Sequence, residues 1–191
     1  MACRRTRRAV EAAGRRSAEY AFDVTLGQNV QVSTRQVAKE MGGLDILVYA
    51  VQSAPERPAE KITDAEWTRA LAVNLSGAFF ACRAALREML NAGGGRIILL
   101  AGPLGERGEP SAAMLATARY GLVGLARALA AEYDERGIRV NAVTTDGADS
   151  ETGVPVTSTD ADSLIALGTT AVRLASDAEG TTNGSAVSIF T

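Results

Sequence analysis

The sequence predicts an α/β protein, a doubly wound parallel sheet of about five strands in one domain that spans residues 1–191. Three short apolar segments, residues 44–50, 96–100 and 138–143, predict strands of such a sheet, because strands buried on both faces are apolar almost throughout. Segments long enough to cross the sheet as helices separate them. Glycines follow these helical segments, as at Gly42, where a glycine commonly ends a helix.

The first part of the chain is predicted to contain two helices and two strands. A basic helix over residues 4–13 precedes a short strand over residues 17–22, and a helix with one apolar stripe covers residues 28–41. The apolar segment 44–50 is the next strand. We expect the strand at 17–22 to lie beside it, because an exposed apolar edge would otherwise invite aggregation.

Long helices dominate the second part of the chain. A helix over residues 64–91 begins at a capping box, in which Thr63 and Glu66 each accept a hydrogen bond from the other's backbone. A second long helix covers residues 112–133. The remaining predicted elements are a helix over residues 160–175 and a strand over residues 186–190.

Composition excludes several classes of function. The net charge of −2 makes nucleic acid an improbable partner, and no apolar segment reaches the roughly 18 residues of a membrane span. Two cysteines without motif spacing fit a reducing compartment, so we expect a cytoplasmic protein with no membrane association. Histidine is absent, which excludes an imidazole base and histidine-ligated metal. The acids of residues 146–162 match no metal-binding loop, so we expect no metal.

Several segments carry a resemblance to a known family by their order and spacing. They are Asp23-Val24-Thr25, GLDILV at 43–48, ITDAEWTRALAVNLSG at 62–77, GRIIL at 95–99, GIRVNAV at 137–143 and VRLASD at 172–177. Together they resemble the short-chain dehydrogenase/reductase family from about residue 4 to the end of the chain. The resemblance implies a Rossmann-like fold that lacks the family's first two strands. It also implies the chemistry of NAD- or NADP-dependent oxidoreductases.

The resemblance assigns positions to a cofactor site, and most of these positions carry other residues. The family's glycine-rich turn, at which a helix N-terminus binds the cofactor pyrophosphate, has no counterpart in the sequence. The family's NNAG motif corresponds to residues 49–52, where we interpret Tyr49 as a packing residue. The remnants of the cofactor site are Asp23, Val24 and Ala50. We therefore expect no cofactor, or NAD or NADP if one binds.

The family's catalytic serine, tyrosine and lysine correspond to Gly102, Leu115 and Arg119. In the family the tyrosine transfers a proton, and the lysine one helical turn later lowers the pKa of that tyrosine. The family's asparagine corresponds to Asn74, so the candidate catalytic residues that remain are Asn74 and Arg119. Halohydrin dehalogenases resemble this family and use arginine at the lysine position, but Gly102 and Leu115 do not fit their serine and tyrosine.

Several interpretations remain open. The chain resembles a non-catalytic homologue that forms a homo-oligomer, or a hetero-oligomer with an active relative, through helices 64–91 and 112–133, which form the family's dimer interface. Two alternatives are an active short-chain oxidoreductase with an altered site and a halohydrin dehalogenase-like enzyme. Six arginines between residues 4 and 16 suggest an anionic partner, although a solvated helix face explains them more simply. A shortened product of a longer protein is the last possibility.

Overall fold

A computed structural model describes residues 2–102, 109–144, 161–176, 183–184 and 186–188. The helices in these residues are α1 (Ala2–Ala12), α2 (Gly27–Met41), α3 (Asp64–Leu71), α4 (Gly77–Ala92), α5 (Ala113–Tyr133) and α6 (Ala161–Ala175). The strands are β1 (Ile46–Tyr49), β2 (Gly95–Gly102), β3 (Ile138–Thr144) and β4 (Ala186–Ser188). They form one parallel sheet in the order β1-β2-β3-β4. The predicted α/β class is therefore confirmed.

The centre of the sheet consists of β2 and β3, each of which has a strand on both sides. Their register pairs Ile97 with Val140 and Leu99 with Ala142, and all four side chains are fully buried. Complete burial explains why these two strands are apolar almost without interruption, as strands covered on both faces must be.

Helices cover both faces of this centre, which makes the sheet doubly wound. On one face α4 and α5 pack against β2 and β3 in the main hydrophobic core. On the other face α6 places Leu174 against Ile98 and Val143. Buried members of the main core from the two long helices are Cys82, Ala85, Met89, Leu122 and Ala126.

The segment predicted as one helix over residues 64–91 consists of α3 and α4 joined by one π-helical turn, Ala72–Ser76. The predicted capping box is confirmed: Glu66 N–H donates to Thr63 Oγ1 at 3.2 Å, and Thr63 N–H donates to Glu66 Oε2 at 2.9 Å. Single π turns within helices are frequent at functional sites. Here the turn carries Asn74.

The prediction of a strand at residues 17–22 is wrong, since the structure has no strand in this segment. The segment lies along α2 instead, where Arg16 donates to the carbonyl oxygen of Met41 at 2.9 Å and Tyr20 donates to Glu40. A doubly wound sheet with the order 3-2-1-4 places two strands between its third and fourth strands. A short segment in the third position therefore cannot become the neighbour of the fourth.

As a result, β1 lies at an edge of the described sheet and has one exposed face. Ile46 is 40% exposed and Val48 45%, whereas Tyr49 is 4% exposed. Val48 pairs with Ile98 in the parallel register, so both side chains lie on the face where α6 packs against β2 and β3. The prediction that residues 44–50 are buried on both faces is thus correct for one face only.

The basic helix α1 lies on the surface. The side chains of Arg5, Arg7 and Arg8 are exposed, and Arg7 Nε donates to Glu11 Oε1 at 2.8 Å, one helical turn away. Within the described ranges, no helix has both the length and the apolar character needed to span a membrane.

Candidate active site

The carboxyl ends of β1 and β2 meet α5 at the edge of the sheet where doubly wound proteins bind their ligands. Gly102 ends β2, Gln52 lies three residues after β1, and Arg119 belongs to α5. A Cβ atom built on Gly102 would lie 3.0 Å from Gln52 Nε2 and 3.4 Å from Arg119 Nε. The structure therefore brings two predicted site positions together with Gln52, which the sequence did not mark as a site residue.

The backbone at the position of the family's serine suits glycine. Gly102 has a φ of +73°, in the left-handed region. A residue with a Cβ atom costs roughly 1–2 kcal/mol in that conformation, and the Cβ would also crowd the Gln52 amide at 3.0 Å. A serine at this position would strain the backbone and would require the Gln52 side chain to shift slightly.

The positions of the family's tyrosine and lysine carry groups that do not exchange protons near neutral pH. Leu115 is half-buried and lies one helical turn before Arg119, on the same side of α5. Arg119 is only 8% exposed, and its Nη1 lies 3.8 Å from Glu109 Oε2. Burial lowers the pKa of Arg119, while the carboxylates of Glu109 and Glu56 act in the opposite direction. The guanidinium nonetheless stays protonated, because arginine titrates only at very high pH.

Asn74 is buried, and its side chain forms hydrogen bonds with backbone groups of the loop after β1 and of α3. Its Nδ2 donates to the carbonyl oxygens of Ser53 at 2.8 Å and Ala70 at 2.7 Å, and its Oδ1 accepts from Ser53 N–H at 2.8 Å. These bonds tie the π turn to the loop that follows β1. Asn74 thus fixes Ser53, the neighbour of Gln52, at the edge of the site.

The three predicted remnants of a cofactor site lie in different environments. Asp23 is exposed, its Oδ1 accepts from Thr25 N–H at 2.9 Å and Thr25 Oγ1 at 2.7 Å, and these bonds, aided by Arg69, lower the pKa of Asp23. Val24 is half-buried against Gly77. Ala50 is exposed directly after β1.

Tyr49 packs inside the protein, in agreement with its interpretation as a packing residue. It belongs to the main core, and its hydroxyl donates to the carbonyl oxygen of Val73 at 2.6 Å. A Cβ atom on Gly77 would lie 2.6 Å from that hydroxyl oxygen, so glycine at 77 makes the room for the tyrosine. Burial, with a smaller effect of Cys82, raises the pKa of Tyr49 to about 12.

No group of three or more cysteine, aspartate or glutamate side chains suited to a metal ion occurs in the described part of the chain. The loop acids considered from the sequence have side chains outside that part; they are Asp146, Asp149, Glu151, Asp160 and Asp162.

Comparison with known proteins identifies the family of this chain. A family model described as enoyl-(acyl carrier protein) reductase matches residues 2–189. The chain belongs to the short-chain dehydrogenase/reductase family. The resemblance seen in the sequence is therefore confirmed, and with it membership in a family of NAD(P)-dependent oxidoreductases.

Similar curated proteins include dehydrogenases and reductases. D-threitol dehydrogenase of Mycolicibacterium smegmatis is 38% identical over 124 residues, which cover 65% of this chain and 48% of the relative. Cis-4-hydroxycyclohexanecarboxylate dehydrogenase of Sinomonas cyclohexanicum is 35% identical over 144 residues, which cover 75% of this chain and 58% of the relative. The chain thus spans about half the length of the curated relatives that it matches.

Solved structures agree on the fold. A short chain dehydrogenase from Mycobacterium smegmatis matches with a TM-score of 0.85 and 32% identity, over 99% of this chain and 77% of that one. An NAD+-bound xylitol dehydrogenase matches with a TM-score of 0.83 and 21% identity, over 98% of this chain and 84% of that one, and this likeness concerns the fold alone.

A nicotinamide dinucleotide, the family's cofactor, fits the described residues poorly. In those residues no glycine-rich turn joins a strand to a helix N-terminus, the feature that receives a pyrophosphate. The N-terminus of α2 is covered, because a Cβ atom on Gly27 would lie 3.1 Å from an Arg83 nitrogen and 3.3 Å from the Phe80 ring. Asp23, one of the predicted remnants of the cofactor site, has one carboxylate oxygen engaged by Thr25.

Proposed function

We propose that this chain is a non-catalytic member of its family, which binds neither NAD nor NADP and acts by assembling with a second copy of itself. The observation that carries the first part is the leucine at the proton-transfer position. Reduction of a carbonyl by hydride requires a proton for the new hydroxyl group, and the reverse reaction requires a base. The hydrocarbon side chain of Leu115 can serve as neither.

Neighbouring groups are poor substitutes for the missing tyrosine. The Arg119 guanidinium keeps its proton, and the Asn74 amide is engaged with backbone groups. The Tyr49 hydroxyl is buried and donates to the carbonyl of Val73. Tyr120 is exposed and lies about 100° around α5 from Arg119.

An active enzyme with an altered site is the second candidate, and the position of Glu109 favours it. Its Oε2 lies 3.8 Å from Arg119 Nη1, at the same end of the sheet as Gly102. A carboxylate can act as the general base in place of the family's tyrosine. The names of the curated relatives suggest hydroxylated substrates for such a reaction.

A turnover assay separates these two functions. The protein is mixed with NAD+ or NADP+ and D-threitol or cis-4-hydroxycyclohexanecarboxylate, and the absorbance of the reduced nicotinamide is followed. We expect no change beyond that of the buffer. The variant Glu109→Gln and its matched control Glu132→Gln, an exposed acid of α5, complete the experiment. Turnover that Glu109→Gln abolishes and Glu132→Gln preserves would overturn the proposal in favour of the altered enzyme.

The second part of the proposal rests on exposed aromatic side chains of neighbouring helices. Trp67 of α3, Phe79 of α4 and Tyr120 of α5 are all more than a third exposed. The helices touch, since a Cβ atom on Gly121 would lie 2.9 Å from a methyl carbon of Leu75. Exposed aromatic groups on helices that touch are suited to an interaction surface.

A second copy is the partner that suits these helices best. Two-fold assembly brings the same surface of each protomer together, so exposed aromatic groups of one copy meet those of the other. Gly124 assists, because it is exposed and a Cβ atom there would have no neighbour within 4 Å, which permits close approach of a second helix. The family's dimers use the segments that correspond to residues 64–91 and 112–133.

Sedimentation equilibrium tests the assembly. We expect twice the chain mass of 19.9 kDa for the unaltered protein and the mass of one chain for the Phe79→Glu, Tyr120→Glu double variant. The control is Val172→Glu, because Val172 of α6 is 70% exposed and lies outside these helices. A monomeric unaltered protein would contradict a homodimer. If the monomer bound an active relative instead, a hetero-oligomer would take the place of the homodimer in the proposal.

A further inference from the structure

We infer that Asn183 is a deamidation site, and that its conversion to aspartate or isoaspartate loosens the attachment of β4 to β3. Of the five asparagines in the chain, only Asn183 precedes a glycine. The reaction is intramolecular and needs no cofactor or partner protein, so the inference stands apart from the proposed function. It depends on the reactivity of the Asn183-Gly184 pair and on the contacts that hold the Asn183 side chain.

An asparagine that precedes a glycine can react with the main chain. The amide nitrogen of Gly184 attacks Cγ of Asn183 and forms a C–N bond, and the side-chain nitrogen leaves as ammonia with the proton that the attacking nitrogen gives up. Water then opens the five-membered imide at one of its two carbonyl carbons, which gives aspartate or isoaspartate. Glycine favours the attack because it has no Cβ atom to obstruct its nitrogen and the widest choice of backbone conformations.

The fold restrains both groups that must react. Gly184 N–H donates to the carbonyl oxygen of Val140 at 2.9 Å, and Val140 N–H donates to Asn183 Oδ1 at 2.8 Å. Asn183 Nδ2 donates to Asp134 Oδ1 at 2.8 Å and, over a longer distance of 3.4 Å, to the carbonyl oxygen of Ala130. The Gly184 nitrogen and the Asn183 side chain must leave these partners to meet, so only a locally opened form of the protein reacts.

Local opening is accessible because β4 is a short strand. It has three residues, and in the described sheet it pairs with β3 alone. Short elements with few contacts open at a lower free-energy cost than the core does. Asn183 and Gly184 also line a surface cavity of about 490 Å³, through which water reaches the pair for the second step of the reaction.

Deamidation replaces a hydrogen-bond donor by a negative charge. In the aspartate product an acceptor oxygen takes the place of Asn183 Nδ2, which now donates to Asp134 at 2.8 Å, so two carboxylates face each other and repel. The bond from Val140 N–H remains, because a carboxylate oxygen accepts it as well. Isoaspartate adds one carbon to the main chain and displaces Gly184 N–H from the Val140 carbonyl. Either product weakens the contacts that hold the chain just before β4.

Peptide mass mapping measures the reaction. The unaltered protein is incubated at mildly alkaline pH, either folded or unfolded in guanidinium chloride, and both products at position 183 are quantified over time. The internal reference is Asn91, an exposed asparagine that precedes alanine. We expect Asn183 to react ahead of Asn91 under both conditions, and at least about tenfold more slowly in the folded protein, where only the opened fraction reacts. Asp134→Ala should accelerate the reaction of the folded protein.

Two outcomes of the mapping would overturn the inference. Equal rates in the folded and the unfolded protein would show that the contacts of Asn183 do not restrain it. Conversion in the unfolded protein without any in the folded protein would show that the native chain is not a substrate.

A pair of substitutions tests the consequence for β4. Asn183→Asp imitates the aspartate product and should lower the melting temperature by several degrees and accelerate hydrogen exchange of the Gly184 amide. Adding Asp134→Asn should restore both, because the exchanged pair again has one amide donor and one carboxylate acceptor. The matched control is Asn183→Asp with Glu135→Gln, which removes a neighbouring exposed charge but not the contact. Equal recovery by the two double variants, or no effect of Asn183→Asp, would contradict the inference.

Discussion

The two central strands and the edge strand β1 have nearly the same kind of sequence and very different surroundings. Ile98 of β2 is 1% exposed because α6 covers it, whereas its register partner Val48 of β1 is 45% exposed on the same face. The opposite face of β1 belongs to the main core, in which Tyr49 is buried and Leu47 is partly buried. The apolar sequence of a strand therefore indicates that its faces tend to be buried. The neighbouring strands and helices determine whether both faces are buried.

The largest difference between the two regions should appear in the pair Ile98 and Val48. Ile98→Ala should lower the free energy of unfolding by about 2–5 kcal/mol, because it leaves a cavity between β2 and α6. Val48→Ala should lower it by less than about 1 kcal/mol, because the side chain is half in solvent already. Urea unfolding followed by circular dichroism measures both. Similar losses for the two variants would show that the exposed face of β1 is covered in solution.

Asn74 links the loop after β1 to the π turn between α3 and α4, and its loss should have the next largest effect. Asn74→Ala removes three hydrogen bonds to Ser53 and Ala70 and should cost about 2 kcal/mol, since buried backbone groups lose their partners. The control is Asn29→Ala, an exposed asparagine of α2. Hydrogen exchange of the Ser53 amide should also accelerate in the Asn74 variant alone.

Tyr49 tests the packed face of β1. Tyr49→Phe should cost about 1 kcal/mol, because the Val73 carbonyl loses its donor. The pKa of Tyr49 is raised from 10.0 to about 12 in the folded protein, chiefly by burial. Its contribution to stability is therefore complete below about pH 10 and is lost as the pH rises through about 12.

Urea unfolding at a series of alkaline pH values checks this sign. The unaltered protein should lose stability above pH 10 more steeply than Tyr49→Phe. Cys82, whose pKa burial raises from 9.0 to about 12, contributes a similar loss to both proteins. Identical slopes for the two proteins would mean that the Tyr49 hydroxyl is not buried.

The smallest expected effect on stability is that of a charge on the exposed face of β1. Val48→Lys should change the free energy of unfolding by less than about 0.5 kcal/mol and should reduce self-association, because a lysine at a sheet edge discourages pairing with other strands. Light scattering at increasing concentration measures the association. A severe loss of stability would instead place Val48 in a covered environment.

Much of the fold could be predicted from local sequence patterns. The capping box at Thr63, the long helices and the central strands follow from periodicity and turn residues that act over a few positions. The strand predicted at residues 17–22 failed because its formation depends on strands that would lie between it and β1. No pattern within a segment contains that information.

The candidate site was predictable only in part. The resemblance located Gly102, Leu115 and Arg119, because strand ends and helix turns fix their spacing. The orientation of the Arg119 guanidinium and the approach of the Gln52 amide depend on packing between distant segments, so the sequence could not supply them. Two signals were available for Gln52: it is a polar residue shortly after the carboxyl end of a predicted strand, and it is the last residue of the segment that corresponds to the family's NNAG motif.

The central claim is that this chain has the fold of its family but binds neither NAD nor NADP. Thermal melting in the presence of NADH and NADPH tests this claim most directly. A ligand that binds the folded state raises the melting temperature in proportion to its affinity and concentration. We predict no rise at millimolar concentrations of either nucleotide. A saturable rise with one of them would contradict that prediction and return this chain to the cofactor-binding members of the family.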